Sequence, residues 1–444
     1  MNSIRKLSPI AIAVAALVAT PMALAGAGVS NSQASYENHQ LSVFNSTGNA
    51  VLKGNAGRGA SGNIGFNIAT GSQNQQANAG ALSSNTNIDD AAASNANVTA
   101  GQAEMLDQAW QVMNGANAVD FIGNALRGAS GNIGVNMASG IFNQQGNNMA
   151  ASYAQYSDYA NASIGATQIS AFNTNYANGN YGKAVGSSNE TGLYGNVLRS
   201  ASGNVGVNEA AGISNQQSNS LAIATAANND REGYPIGASA HVNANQIMGL
   251  NGTLQGFGGF DYDDSYVNNA SGLGSNALRG ASGNIGANMA SGYSNQQSNN
   301  TALSATSNAK NSTTDYADAT AGANQLAAGN GTFDSGVQDS STVNGNAARG
   351  ASGNIAINVV AGAQNQQENG LAMASIASPN AMGNASAPVQ QVAYYNGGET
   401  VGSMYNSNVS GNALRGASGN IGLNVATGNG NQQVNTLAIA SATK

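Results

Sequence analysis

The line RGASGNIGVNMASGIFNQQ at residues 127–145 returns almost unchanged as RGASGNIGANMASGYSNQQ at 279–297. This self-repetition constrains the fold more than any other feature of the chain. Six copies occur, marked by Arg58, Arg127, Arg199, Arg279, Arg349 and Arg415, at spacings of 69, 72, 80, 70 and 66 residues. Inside a copy the spacing does not vary: N-x-x-R-(G/S)-A-S-G-N-(I/V)-(G/A)-x-N-x-(A/V)-(S/T/A)-G-x-x-N-Q-Q. Fixed spacing within a unit and elastic spacing between units is the signature of a repeat architecture, in which each unit buries its surface against its neighbours.

The period inside the unit is that of a strand. In GNIGVNMA (131–138), Ile133, Val135 and Met137 share one face, while Asn132, Gly134, Asn136 and Ala138 share the other. Ser139-Gly140 reads as the start of a bend and the NQQ segment as the start of a second strand, so each core is expected to be strand, turn, strand. A helix is disfavoured by the repeated Gly and Asn; the one segment that also fits helical spacing is 103–113, AEMLDQAWQVM. A second, shorter motif, Q-φ-x-x-φ-N, precedes the cores. It begins at Gln40, Gln168, Gln246 and Gln391, in degenerate form at Gln325, and with one extra residue at Gln108. It is expected to add at least one further strand per module, on the same rung as the core or on a rung of its own.

One such unit, poor in large apolar residues, buries too little to offset its ordering entropy. Stacked on a copy of itself it gains backbone pairing, aliphatic columns and amide ladders. The ladder candidates are Asn63, Asn132, Asn204, Asn284, Asn354 and Asn420; then Asn67, Asn136, Asn208, Asn288, Asn358 and Asn424; then Gln75, Gln144, Gln216, Gln296, Gln366 and Gln432. The expected fold class is all-β, a solenoid or cross-β stack of six imperfect modules, at approximately 33–100, 101–160, 161–235, 236–310, 311–380 and 381–444. Six aligned arginines at ~4.8 Å would repel by about 0.9 kcal/mol per neighbouring pair even in bulk water. They are therefore expected at a solvated edge or near acids, in a turn-capping role.

Composition narrows the function. Charged residues are 7% of the chain against roughly 25% in an ordinary globular protein, and of 20 acids only Glu209 and Glu368 fall within the core lines. Residues 1–25 read as an export signal: Arg5 and Lys6, an apolar run from Ile10 to Val18, and Ala23-Leu24-Ala25 before a cleavage site at Gly26. Removing it takes the net charge from −7 to −9 (−7 − 2), which argues against nucleic acid as a partner; contact with membrane is expected only in transit. There is no cysteine, and the two histidines, His39 and His241, stand in unrelated contexts. FDYDDSY (260–266) lacks the ligand spacing of a calcium loop and is not repeated. No catalytic residue, metal site or cofactor is expected, and the chain is not read as an enzyme.

With these motifs in place, the chain resembles the Fap family of bacterial functional amyloids. The resemblance rests on S-G-N-(I/V)-G-x-N-x-A-x-G-x-x-N-Q-Q-x-N-x-L-A, which recurs through residues 26–444 behind the Q-φ motif; G-x-N-x-A alone is a looser likeness to curli repeats. The resemblance implies an exported subunit that polymerises with itself into extracellular cross-β fibres of the biofilm matrix. It also implies passage through an outer-membrane export pore and seeding by a minor nucleator subunit. Family major subunits typically carry three repeats and often a Cys-x-x-Cys; this chain has six repeats and no cysteine. The alternative is a monomeric β-solenoid adhesin that displays its loops to carbohydrate or another surface. The first and sixth cores carry no distinctive capping residues, which favours the fibre, because open ends invite elongation.

Overall fold

The alternation in the core line produces long strands whose two faces meet different environments. Ser130–Ile141 is one such strand: Ile133, Val135 and Met137 are fully buried with Val119 and Phe121, while Asn136 on the opposite face donates to Asn67 and Asn78, each at 3.0 Å. The structure, a computed structural model, describes residues 26–443 apart from 37–38, 42–46, 86–92, 113–115, 156–158, 179–185, 229–235, 256–265, 309–314, 336, 379–380 and 402. The expected export signal and most of the acidic segment 260–266 lie outside the described residues.

The first turn of the chain is built from β1 (Ala27–Tyr36), β2 (His39–Leu41), β3 (Thr47–Leu52), β4 (Ser61–Ser72) and β5 (Gln75–Asn85). The second repeats it as β6 (Ser94–Met105), β7 (Gln108–Val112), β8 (Ala116–Gly123), β9 (Ser130–Ile141) and β10 (Gln144–Gln155). Four further turns follow at 159–228, 237–308, 315–377 and 381–443. Each strand pairs in parallel with its counterpart one turn later, and the strands form five sheets that run the length of the stack in strict chain order. Register is one to one: Ser61↔Ser130, Asn63↔Asn132, Asn67↔Asn136 and Gly71↔Gly140 between β4 and β9, continuing Asn136↔Asn208 above them. One module is therefore one rung, and the short motif lies beside the core on the same rung. Segment 103–113 is strand in β6 and β7; its helical spacing yields to pairing on both sides.

The strand does not bend at Ser139-Gly140 but runs on to Ile141, and the turn comes at Phe142, with φ +59°. Gly140 is required for another reason. A Cβ there would run into the carbonyl oxygen of Gly212 one rung up, and its φ is +113°, a region open to glycine. The glutamine column is also different in the first two modules. Gln168, Gln246, Gln325 and Gln391 stack in register in the first sheet, and the residues continuing their column are Gln102 and Gln33. Gln40 and Gln108 lie on β2 and β7 in the second sheet, where Gln40 pairs with Ala109 and Gln108 with His39. The displacement arises because Asp107 occupies the place of the motif's closing Asn in the second module and Glu37 that of its last apolar residue in the first.

Two apolar cores run along the axis. One lies between the third and fourth sheets and the arcs that join them, with Phe121, Leu126, Ile133, Leu193, Leu198 and Leu273 among its residues. The other, between the first and fifth sheets, is mainly Ala with Val98, Ile164, Val242 and Ile376. Small side chains pack there because the backbone, not the side chain, supplies most of the cohesion. The arcs carry the arginines: Gly59 N–H donates to the Arg127 carbonyl at 3.0 Å and Gly128 N–H to that of Arg199 at 2.9 Å. Leu126, Leu198, Leu278 and Leu414 in these arcs have φ near +55°. That left-handed conformation costs roughly 1–2 kcal/mol at a non-glycine residue. Burial of the first three leucines in the core offsets it.

Candidate assembly faces

The ladders expected from the repeats are present as hydrogen-bonded columns. Along Asn63–Asn132–Asn204–Asn284–Asn354–Asn420, each Nδ2 donates to the Oδ1 one rung below at 2.7–2.9 Å. Along Asn67–Asn136–Asn208–Asn288–Asn358–Asn424 the distances are 2.9–3.0 Å. The third column bonds from Gln144 through Gln216, Gln296 and Gln366 to Gln432 at 2.6–3.0 Å; Gln75 stands outside this ladder, its Oε1 receiving no bond from Gln144 while its Nε2 donates to the Ala103 carbonyl at 2.9 Å. Gln33, Gln102, Gln168, Gln246, Gln325 and Gln391 form a fourth, at 2.8–3.0 Å.

A fifth column escaped the sequence reading, although its signal was the second Gln of every NQQ. Gln76 donates upward to Gln145, and so on through Gln217, Gln297, Gln367 and Gln433, at 2.8–2.9 Å. Asn78 and its equivalents, the Asn of Q-Q-x-N, bind the Asn67 column across the fourth and fifth sheets: Asn78 to Asn67 at 2.8 Å, Asn147 to Asn136 at 2.9 Å, Asn435 to Asn424 at 2.8 Å.

The arginine column sits at a solvated edge, with Arg58 and Arg415 exposed and the four between them half-exposed. Arg279, Arg349 and Arg415 each donate to the Asn three residues earlier at 3.3–3.4 Å, a turn-capping arrangement. His241 Nε2 lies 3.4 Å from Asp318 across one rung at the surface, an exposed pair of the kind worth little. Among the described residues no group of His, Asp or Glu could hold a metal ion.

The ends of the stack are what the columns leave unfinished. The four middle copies of the core strand share one burial pattern, nearly continuous burial from the fourth residue on. In β4 and in Ser418–Asn429 the same positions are partly exposed, and Val409, Ile421, Val434, Leu437 and Ile439 of the last rung are open to solvent. Many amide bonds are also staggered by one rung. Gln75 donates to Ala103 O one rung up at 2.9 Å, and Gln144 to Ile169 O at 2.8 Å, a pattern kept as far as Gln366 and Val392 O at 3.2 Å. Gln432 in the last rung has no such carbonyl above it within the chain; the equivalent acceptor is Ala34 of the first rung. Asn74 reaches up to Gly140 O at 3.0 Å and Asn365 to Gly428 O at 2.8 Å, so Asn431 is left to seek a Gly71 carbonyl. In the other direction Asn136 donates down to Ala77 O at 2.8 Å and Asn424 to Glu368 O at 3.0 Å; Asn67 has no rung beneath it, and the equivalent acceptor is Val434 O.

The Asn63, Asn67 and Gln33 columns thus present donors on the first-rung face and acceptors on the last, while the Gln76 column and the carbonyl-seeking amides of Gln432 and Asn431 run the other way, with donors on the last rung and acceptors on the first. The faces complement each other head to tail and not head to head, the heterologous arrangement that generates open filaments. Within the columns, burial sets the energetics. Asn208 donates to Asn136 Oδ1 and Gly146 O at 2.9 and 3.0 Å and accepts from Asn288 and Asn219 at 3.0 and 2.9 Å. Asn208→Ala should destabilise the folded chain by about 2–4 kcal/mol, against less than about 1 kcal/mol for Asn63→Ala at the exposed end, measured by chemical denaturation.

Six carboxyl groups among the described residues, Glu104, Asp107, Glu209, Asp315, Asp339 and Glu368, are buried and break the rule that charge stays out of the stack. Glu104, Glu209 and Glu368 are completely buried, and desolvation pushes each well above the ordinary carboxylate range. Asp107 adds to this at Glu104 and Asp120 at Glu209; the Gly192 backbone opposes it in part at Glu209, and Ser298 and Asn300 do so at Glu368.

An unclosed, in-register parallel β-stack with self-complementary ends defines the class: a repeat solenoid of cross-β type. The comparisons with known proteins agree. The model of the functional amyloid protein FapB/FapC family matches residues 26–226, 170–329 and 319–444, and the chain belongs to that family. It is 32% identical over 286 residues to the functional amyloid subunit FapC of Pseudomonas aeruginosa, covering 60% of this chain and 79% of that protein. No solved structure matches.

Proposed function

We propose that the chain is an exported structural subunit that polymerises outside the cell, each copy adding a folded six-rung block to the end of a growing fibre of the biofilm matrix. The observation that carries this reading is the staggered hydrogen bonding: each donor or acceptor stranded on one end face meets, column by column, its opposite stranded on the other. Addition of a copy completes the amide ladders, five backbone sheets and both apolar cores at once. The stacking residues are those of the Asn63, Asn67 and Gln75 columns together with the Gln33 and Gln76 columns; the arginines keep the edge solvated. Membership of the FapB/FapC family and the apolar run before Gly26 support export. A minor nucleator subunit and an outer-membrane pore are the partners this role calls for, the nucleator supplying a first open face.

The test is seeded growth of the purified chain from Gly26 onward. Preformed fibres should abolish the lag, and the product should give a meridional reflection at ~4.7–4.8 Å. A chain that stays monomeric at high concentration in the presence of seeds overturns the proposal in favour of the adhesin.

A further inference from the structure

The fourth and fifth sheets are clasped by the Asn67 and Asn78 columns and diverge beyond them. The wedge they leave is an open groove of about 1130 Å³ running through all six rungs. One wall is the Asn63 column with the glycines before it, its amides already bonded to one another. The other wall is aliphatic. An inner column includes Leu221 and Leu371, each 2% exposed; a rim column, Leu82–Ala151–Ile223–Leu303–Met373–Ile439, stands in register beside it. Leu82 is 67% exposed and Met373 and Ile439 close to 40%. Among the described residues, none that lines the groove is charged.

Resting on the fibre reading, we infer that this groove is a lateral interface between two filaments of the same chain, the rim column of each seated in the groove of the other. The surface excludes a charged partner, since it holds no charge to pair with. It suits its own copy, since the amides of one wall are bonded along their column and the aliphatic rim is an interdigitating surface of the steric-zipper kind. Area decides when pairing occurs. A rim of one side chain per rung, six rungs high, falls well below the roughly 800 Å² per partner of a stable interface. Free chains therefore do not dimerise through it. Axial stacking joins the grooves end to end, and every added chain extends the same contact, so pairing follows elongation and strengthens with filament length.

Mass per unit length of wild-type fibres tests this. Six rungs at ~4.8 Å make about 29 Å per chain, so the 44.0 kDa chain less its 25-residue export signal corresponds to about 1.4 kDa per Å for a single filament and about 2.9 kDa per Å for a pair. Wild-type fibres are expected at the higher value. The double variant Ile223→Lys and Leu303→Lys, which places two charges on the rim of every block, should halve it while keeping the ~4.7–4.8 Å reflection and the seeded growth rate. Wild-type fibres at the single-filament value, or variant fibres that stay paired, overturn the inference. The wild-type measurement decides even where the variant does not fold. Failure to form fibres at all is a different result, seen as the absence of the reflection, and overturns the parent reading.

Discussion

A chain carrying Val434→Pro and Thr436→Pro should fold, bind the end of an existing fibre and stop its growth there. Gln366 N–H donates to the Asn431 carbonyl above it at 2.7 Å, so the matching N–H of Gln432 points out of the last rung, and by alternation so do those of Val434 and Thr436. Proline at these positions removes two donors that bond nothing inside the chain, the edge position where a strand tolerates proline. It places two rings where the first rung of the next copy must pair. Seeded elongation of the variant alone should fall by at least tenfold. Substoichiometric variant should arrest wild-type fibres at the end that exposes a last rung, leaving the other end growing, as followed by single-fibre microscopy. The chain already holds one proline inside a sheet: Pro388 divides the last strand of the first sheet into Ala381–Ser386 and Val389–Tyr394. Its carbonyl still accepts from Ala323 at 3.0 Å, so this interruption faces the chain's own fifth rung.

The second large effect is on pH. Glu104, Glu209 and Glu368 have folded-state values raised by burial, so the folded chain holds protons that the unfolded chain releases. Their sign is opposite to that of a salt-bridged carboxylate. The contribution is complete below the unfolded value, near 4.5, and is lost as pH rises from there through the raised folded values. Each group removes about 1.4 kcal/mol of stability per pH unit across its own window. Fibres and folded chains should therefore be most resistant to denaturant at mildly acidic pH and weaken towards neutrality. Glu209→Gln combined with Glu368→Gln should flatten that slope by two protons and raise the denaturation midpoint at pH 7, while leaving stability at pH 4 little changed. A midpoint that rises with pH in the wild type would refute this sign.

Much of the stack was legible because it is written six times. The Asn63 and Asn67 columns require the same residue at the same place in every rung, and invariant spacing from Ser61 to Gln75 and its equivalents leaves no freedom of register. The first sheet was harder to read. Its strands face Ala-rich packing that tolerates Val, Ile and Ala at matched positions, as in Val98, Ile164, Val242 and Ala321. Alignment there rests on one glutamine, and Asp107 in place of Asn drew it six residues too far, to Gln108. The single rung per module was illegible for a related reason. β2, β3 and their equivalents are short, and only stacking in register makes strands of them. The staggered bonds from Gln75 to Ala103 and from Asn74 to Gly140 depend on how sheets and turns sit relative to one another along the axis, a property of the folded stack that no local pattern encodes.

The most direct test is the axial rise per subunit in a helical reconstruction of the fibres by electron cryomicroscopy. Stacked six-rung blocks require one chain per six strand spacings, about 29 Å, with the last rung of each copy covered by β1–β5 of the next and Gln432 within hydrogen-bonding distance of Ala34. A rise of one strand spacing, about 4.8 Å per chain, would mean that each molecule lies flat in a single layer. That result, or a two-fold axis relating last rung to last rung, would contradict the account.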